Sequence, residues 1–221
     1  MRNPSDATKL RQKRCKGEGM DYVPWIKANE FSSQSISTIA TNWKNGRRIH
    51  LLSLSEMKVF YTLNFSENVV DIKEQYALDY DKTCKIATKL GYRKPYKIMS
   101  TDMLVKLNTA PYTIAVSIKA SRKEAEDQRT KEKLEIEELY WADKNIPYVL
   151  VFGEDMDRRF VKNVRLCSEI YKKELIQNPI MAVKYLIIHR IIDVDMFEEL
   201  NFKKILEDNI ELVGEFYEDI R

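Results

Sequence analysis

Residues 99–121 read "MSTDMLVKLNTAPYTIAVSIKAS". Two apolar, strand-like runs, 103–105 and 114–118, flank a polar Asn-Thr-Ala-Pro connection, and a charged residue stands at each outer end, Asp102 before the first run and Lys119 after the second. The pattern predicts a β-hairpin. Closed symmetrically about residues 110 and 111, it sets Asp102 across the ladder from Lys119, because directly opposed strand positions are neighbours. Side chains alternate along a strand, so Ser117 shares the Lys119 face. Two readings of the pair stand side by side. As strand-end charges they solubilise the sheet or form a surface ion pair that contributes roughly 0–1 kcal/mol. As an acid opening one strand and a lysine closing the next, they suit a metal-dependent nuclease centre that holds a divalent cation and a phosphate together.

Working outward from this hairpin, residues 36–51, "ISTIATNWKNGRRIHL", read as another, with Asn45-Gly46 as the dipeptide that best takes the two positive φ values of a tight turn. Residues 53–65 have Val59, Phe60 and Leu63 at helical spacing, and Ser53 with Glu56 forms an S-x-x-E capping box. A strand follows in "NVVDIKEQY", where Val70, Ile72 and Tyr76 alternate with Asp71, Lys73 and Gln75. A polar connection with Gly91 and Pro95 leads into the 99–121 hairpin. Ser121 and Glu124 make a second capping box, opening one long charged helix over 124–143 that packs through Leu134, Ile136, Leu139, Tyr140 and Trp141. Asn145-Ile146-Pro147 stops it, and the apolar run 148–152, "YVLVF", reads as a strand buried on both faces. From Asp157 onward the chain reads as helical, with Asn178-Pro179 as the clearest break. The order helix, strand, strand, strand, helix, strand over about 53–152 defines an α/β class, a mixed sheet with helices packed on it.

Composition limits the alternatives. The chain has 221 residues, 44% of them hydrophobic, enough for one buried core with a smaller appendage. No apolar run approaches the roughly 18 residues a membrane span needs, and the first residues lack the apolar segment of a secretory signal, so a cytoplasmic protein is expected. Three scattered cysteines and two histidines, His50 and His189, argue against a disulfide framework, a zinc site and a histidine triad. The net charge is only +3, yet basic residues gather at Lys9, Arg11, Lys13, Arg14 and Lys16, at Arg47-Arg48 and at Arg93-Lys94, while the last thirty or so residues are acidic. Such a distribution suits a phosphate-facing front and a protein-facing tail; a merely solvated charge pattern fits it as well.

Glu56 in the first turn of its helix, Asp102 and Lys119 come in an order that lets three distant charges converge at one sheet edge. Phosphodiester hydrolysis calls for an activated water, shielding of the phosphate and stabilisation of the leaving oxygen. Carboxylate-bound Mg2+ supplies much of this, and an ammonium group offsets the charge of the transition state. Glu56 is also sufficiently explained as the third residue of its capping box.

Several segments together resemble the TnsA family, endonuclease subunits of heteromeric transposases: "GMDYVPWIKANEF" (19–31), "RRIHLLSLSEMKVFYTLNFSENVVDIKEQYAL" (47–78), "IMSTDMLV" (98–105), "VSIKAS" (116–121) and "RTKEKLEIEELYWADKNIPY" (129–148). The resemblance implies a restriction-endonuclease-like core over 19–164, preceded by a basic segment (1–18) and followed by a small helical, winged-helix-like domain (165–221) that binds a partner. It implies metal ligation by Glu56, Asp102 and the Ile118 main-chain carbonyl, with Lys119 as the catalytic lysine. Ser117 stands where the family commonly has Gln, which leaves it a weak ligand. The family's cofactor is Mg2+, with Mn2+ as a substitute. Its substrate is double-stranded DNA at transposon ends, cut on the 5′ strands, and its partners are the integrase-type transposase TnsB, which handles the 3′ ends, and the ATPase regulator TnsC. Arg11, Arg14, Arg47, Arg48, Lys73 and Gln75 are the candidate DNA contacts, with Lys131 and Lys133 as weaker ones. Tyr22 and Trp25 suit base stacking or buried packing. A stand-alone restriction or repair nuclease and a catalytically decayed DNA-binding adaptor are the alternatives.

Overall fold

Asp102 and Lys119 do not meet face to face. In the computed structural model, which describes residues 4–30 and 36–220, the hairpin forms, but its register pairs Met103 with Val116 and Val105 with Ile114. The Leu107 N–H donates to the Tyr112 carbonyl at 2.8 Å, and Tyr112 adopts φ 60° to close the loop. The turn is therefore centred one residue earlier than the symmetric expectation. Carried past its last pair, this register sets Asp102 opposite Ser117 and leaves Lys119 one rung further along. A slip of two positions preserves the faces, so Asp102, Ser117 and Lys119 still lie on one side of the sheet.

The chain divides into two units, the first ending at Asp155 and the second beginning at Met156. The first contains α1 (Asp6–Arg11), β1 (Thr38–Thr41), β2 (Arg48–Leu51), α2 (Leu54–Phe65), β3 (Val69–Ala77), α3 (Tyr80–Lys89), β4 (Ser100–Leu107), β5 (Thr113–Lys119), α4 (Arg122–Ala125), α5 (Gln128–Ala142) and β6 (Tyr148–Phe152). Strands β3-β4-β5-β6 form a mixed sheet in that order, with β6 parallel to β5 and the other pairs antiparallel. The mixed α/β class is as expected.

Five local expectations are corrected. The β1–β2 connection is a loop over 42–47, in which only Gly46 (φ 77°) has positive φ and the Asn45 amide is spent on Asp71, so it is not a two-residue turn. A bulge between Val69 and Asp71 shifts the alternation of β3, turning Asp71 inward and leaving Val70 44% exposed. The polar connection before β4 contains α3, capped by Asp79, whose side chain accepts the Lys82 N–H; its few apolar residues gather on one face, and the rest of the helix is polar. Ser121 and Glu124 do exchange capping hydrogen bonds with the main chain, but they cap only the short α4, and Asp127 caps α5 afresh. Strand β6 is a sheet edge, half-buried rather than covered on both faces.

The core between sheet and helices is closed by Phe60, Ile72, Met103, Val105, Val116 and Ile136, all essentially inaccessible. Trp141 donates its indole N–H to Thr101 Oγ1 at 2.7 Å, so even this large ring is buried with its polar atom satisfied. Gly153, just after β6, touches the start of α2: a Cβ there would lie 2.6 Å from Ser55 Cβ and 3.1 Å from Ser55 Cα. Together with the Lys58 ammonium, which donates to the Gly153 carbonyl at 3.0 Å, this contact sets the first turn of α2 against the sheet.

The second unit contains α6 (Arg158–Ser168), α7 (Pro179–Ile188), α8 (Phe202–Asp208) and α9 (Ile210–Asp219). It begins ahead of the boundary expected near residue 165, because α6 belongs with the helices that follow it. Ala182, Val183, Leu186 and Ile187 of α7 form its centre, and Tyr185 stacks on Phe216. A winged helix carries a β-wing, and the described residues of this unit form no strand. Among the described residues, no helix is long and apolar enough to cross a membrane.

Candidate active site

The β4–β5 ladder stops at Met103↔Val116, and beyond it the Ile118 N–H is taken by a side chain: Asp102 Oδ2 accepts it at 2.6 Å. Glu56 approaches from the first turn of α2. Its position is fixed by the capping box, in which the Glu56 N–H donates to Ser53 Oγ at 3.1 Å, the Ser53 hydroxyl donates to Glu56 Oε1 at 3.1 Å, and the Leu52 N–H donates to Oε2 at 2.9 Å. Capping and site placement are thus one arrangement, since the same carboxylate is 7% exposed and aimed at the sheet.

Gln75 joins the two acids. Its amide nitrogen lies 3.3 Å from Glu56 Oε2 and 3.5 Å from Asp102 Oδ1, while its carbonyl oxygen accepts from Ser100 Oγ at 3.0 Å. Gln75 adopts φ 49°, and its main-chain carbonyl accepts the Trp25 N–H. Lys119 Nζ donates to the Ile118 carbonyl at 3.0 Å, so the carbonyl expected to face a metal is engaged by the ammonium in this arrangement.

The electrostatics follow from two like charges in a small space. Burial first, then the neighbouring Asp102 charge, push the Glu56 carboxyl up to about 8. Burial also raises Asp102, partly offset by Lys119 and the Ile118 N–H. A third acid, which sequence reasoning missed, belongs to the group: Glu137 of α5, 5% exposed, with Oε1 making no hydrogen bond. Burial and then Asp102 push it up to about 7, partly offset by the Thr101 and Ser117 hydroxyls and by Lys119. Its signal was present in the sequence, since Glu137 falls three residues after Leu134 and four before Trp141, within the apolar stripe of the helix.

Asp102, Lys119 and Glu137 open onto a cleft of about 470 Å³ whose lining also includes Tyr96, Lys97, Glu124, Arg129 and Lys133.

The chemistry of these donors fits a hard divalent cation. Among the described residues no three His, Cys, Asp or Glu side chains form a ready-made cage. What converges is a carboxylate pair, the set with which Mg2+ is commonly held while it keeps water and phosphate oxygens as its other ligands. Burial raises both the Glu56 and the Asp102 carboxyl, and the Asp102 charge adds to the rise of Glu56. Ser117 is 1% exposed and offsets the shifts of Glu137 and Tyr148, which places its hydroxyl on the α5 side of this group.

Most of the candidate DNA contacts are corrected. Arg47 is 4% exposed, paired with Glu74 Oε2 at 2.8 Å, bonded to the Ile72 carbonyl and set over the Tyr22 ring. Arg14 is equally buried, forked onto Glu30 at 2.6 and 2.7 Å. Gln75 is sequestered between the acids. Lys73 pairs with Glu18 beside Tyr22, and Tyr22 and Trp25 are both buried, so they pack rather than stack on bases. Arg11 and Arg48 are exposed, on α1 and β2.

A mixed sheet whose central strands carry Asp102 and Lys119 at their splayed ends, with Glu56 brought beside Asp102 by α2, is compatible with a restriction-endonuclease-like core. Residues 66–153 match the family described as TnsA-like endonuclease N terminal, a span that contains Asp102, Ser117, Lys119 and Glu137 and starts after Glu56. Over 175 residues, 76% of the chain, the sequence is 33% identical to the Transposon Tn7 transposition protein TnsA of Escherichia coli. The aligned region spans 64% of that relative's length. Over these spans the chain is similar in sequence to TnsA-like endonucleases.

Proposed function

We propose that this chain is the endonuclease subunit of a bacterial cut-and-paste transposon, a Mg2+-dependent hydrolase of phosphodiester bonds in double-stranded DNA. It cuts the 5′ strands at the transposon ends, while an integrase-type transposase of the TnsB kind cuts and joins the 3′ ends and an ATPase regulator of the TnsC kind engages the complex. The observation that carries the reading is the convergence of Glu56, Asp102 and Lys119 from three separate elements at one end of the sheet, where Asp102 and Lys119 line a cleft and Glu56 lies buried behind them. The likeness to a transposition protein supports the setting.

Glu56 and Asp102 would hold the cation, with Mn2+ able to substitute. A divalent ion there supplies charge neutralisation at the phosphate and acidifies water. Gln75 keeps the two carboxylates at a fixed separation by donating toward both. Lys119, released from the Ile118 carbonyl, places its ammonium on the phosphate and offsets the charge that builds up as the leaving oxygen departs. Glu137 lies beside Asp102 with one oxygen unengaged, able to accept a proton or a hydrogen bond.

Strand-resolved mapping of breaks on DNA carrying a transposon end, with the partner transposase and Mg2+, tests this against Asp102→Ala. Wild-type cleavage of the 5′ strand that disappears in the variant, leaving 3′ nicks, is the expected result. Identical breaks from both proteins would make Asp102 a structural charge and favour a DNA-binding adaptor.

A further inference from the structure

The acid group at the sheet end repels a nucleic-acid backbone, and the basic residues singled out at 9–16 and 47–48 do not form a wall opposite it. Arg14 and Arg47 are buried in ion pairs, and Lys9 is 4% exposed over the Trp25 ring. The cations of the cleft come instead from two places the sequence barely marks, residues 93–97, "RKPYK", and the first turns of α5. Arg129 of α5 joins them by donating to the Arg93 carbonyl at 2.9 Å, while the same guanidinium pairs with Glu132 at 2.7 Å. Arg129 is thereby committed to holding the 93–97 segment against the helix.

Lys97 and Lys133 are left over. Both are exposed, both line the cleft that contains Asp102, Lys119 and Glu137, and neither forms an ion pair among the described residues. Tyr96 beside them is 77% exposed, with Lys97 Nζ 5.2 Å from its ring centroid. The far edge of this wall is anchored too, since the Ile98 N–H donates to Asp6 Oδ2 of α1 at 3.1 Å. Two unpaired ammonium groups and an exposed ring thus share one cleft with the acid centre, Lys133 one turn ahead of Glu137 on α5.

We propose that Lys97 and Lys133 are the phosphate-binding residues that draw the DNA strand to be cut into this cleft, with Tyr96 packing against the nucleotide between them. The inference rests on the nuclease reading above and assigns the substrate-positioning surface of that same site. A chain of negative phosphates passing a cluster of carboxylates needs cations in the same cleft, and ammonium groups serve as sequence-independent phosphate contacts.

The test is fluorescence anisotropy of a labelled random-sequence duplex with the full chain, without divalent metal, over a series of salt concentrations. It compares the wild type with Lys97→Ala/Lys133→Ala and with a control, Lys89→Ala/Lys106→Ala, exposed lysines that do not line the cleft. The expected result is weaker binding by the cleft variant, with a slope of log K against log salt reduced in magnitude by about 2, and a control that loses less. An unchanged slope, an equal loss in the control, or no binding by the wild type at low salt overturns the proposal. Mn2+ binding measured calorimetrically on the same proteins separates the two readings. Loss of DNA affinity with Mn2+ binding intact sustains both, whereas an unaltered slope alongside Mn2+ binding removes the wall and leaves the metal site standing. Absence of Mn2+ binding in the wild type removes the nuclease reading, while the slope still decides the phosphate contacts.

Discussion

Two buried charge clusters flank β3, and they are built on opposite principles. Around Glu74, fully buried, the chain supplies every counter-group: the Arg47 guanidinium at 2.8 Å on Oε2, the His50 N–H at 3.0 Å on Oε1, and the Tyr22 hydroxyl donating to its main-chain carbonyl at 2.8 Å. Around Glu56 and Asp102, the chain brings two acids together with one amide between them, a third acid nearby and Lys119, whose charge offsets the rise of Asp102 only in part. The first cluster is closed and ties the β1–β2 hairpin to the main sheet. The second opens onto a cleft and is short of positive charge. A buried ion pair completed by its own chain is a structural knot, whereas a buried acid pair left for a ligand to complete marks a working site.

The contrast breaks most visibly at Arg47. Arg47→Met leaves Glu74 buried without its partner and should lower the unfolding free energy by about 3–5 kcal/mol in urea titration. If this substitution instead altered DNA affinity with stability intact, the closed-knot description would fail. Lys119→Ala should do the reverse, cutting DNA cleavage by roughly 10²–10³-fold with little change in the urea midpoint. Equal loss of stability in the two variants would erase the distinction.

The pH response sharpens the comparison, and its sign differs between Glu56 of one cluster and His50 beside the other. Glu56 is raised from 4.5 to about 8, so the metal-free protein should lose stability as pH climbs through that interval, where the folded state must ionise an acid beside another. Glu56→Gln keeps the capping geometry and should reduce this loss, as should added Mg2+, leaving the part due to Glu137 and the other buried acids; thermal melts across the interval check both. His50, beside the other cluster, is held down from 6.5 to about 4 by burial and by the positive charges of Lys27 and Arg48, and its Nδ1 accepts the Ala28 N–H at 3.2 Å. Its neutral form is favoured by folding, so stability should instead decline as pH falls from 6.5 through 4, by a smaller amount that His50→Gln removes.

Much of the architecture was legible in local pattern. The capping box at Ser53 and Glu56, the apolar runs of β4 and β5 and the stop at Asn145 are short-range signals, and each element appears close to where its pattern lies. What failed locally failed for identifiable reasons. The two-residue shift of the hairpin came from loop closure at Tyr112, and α3 escaped notice because most of its residues are polar, its few apolar ones forming a narrow face, while the helix packs against α5.

By itself, then, the amino-acid sequence determined the α/β class, the order of the sheet-forming elements and the identity of the acids and lysine worth testing, because capping, alternation and charge placement are properties of neighbouring residues. Only the tertiary structure decided which charges serve the site. Arg47 and Glu56 look alike along the chain, each a charged residue near an apolar run, and both are buried. The difference lies in what arrives from distant segments: Glu74 arrives to neutralise Arg47, while Asp102 arrives to repel Glu56. Coulomb energy depends on separation in space, and separation in space is set by the fold.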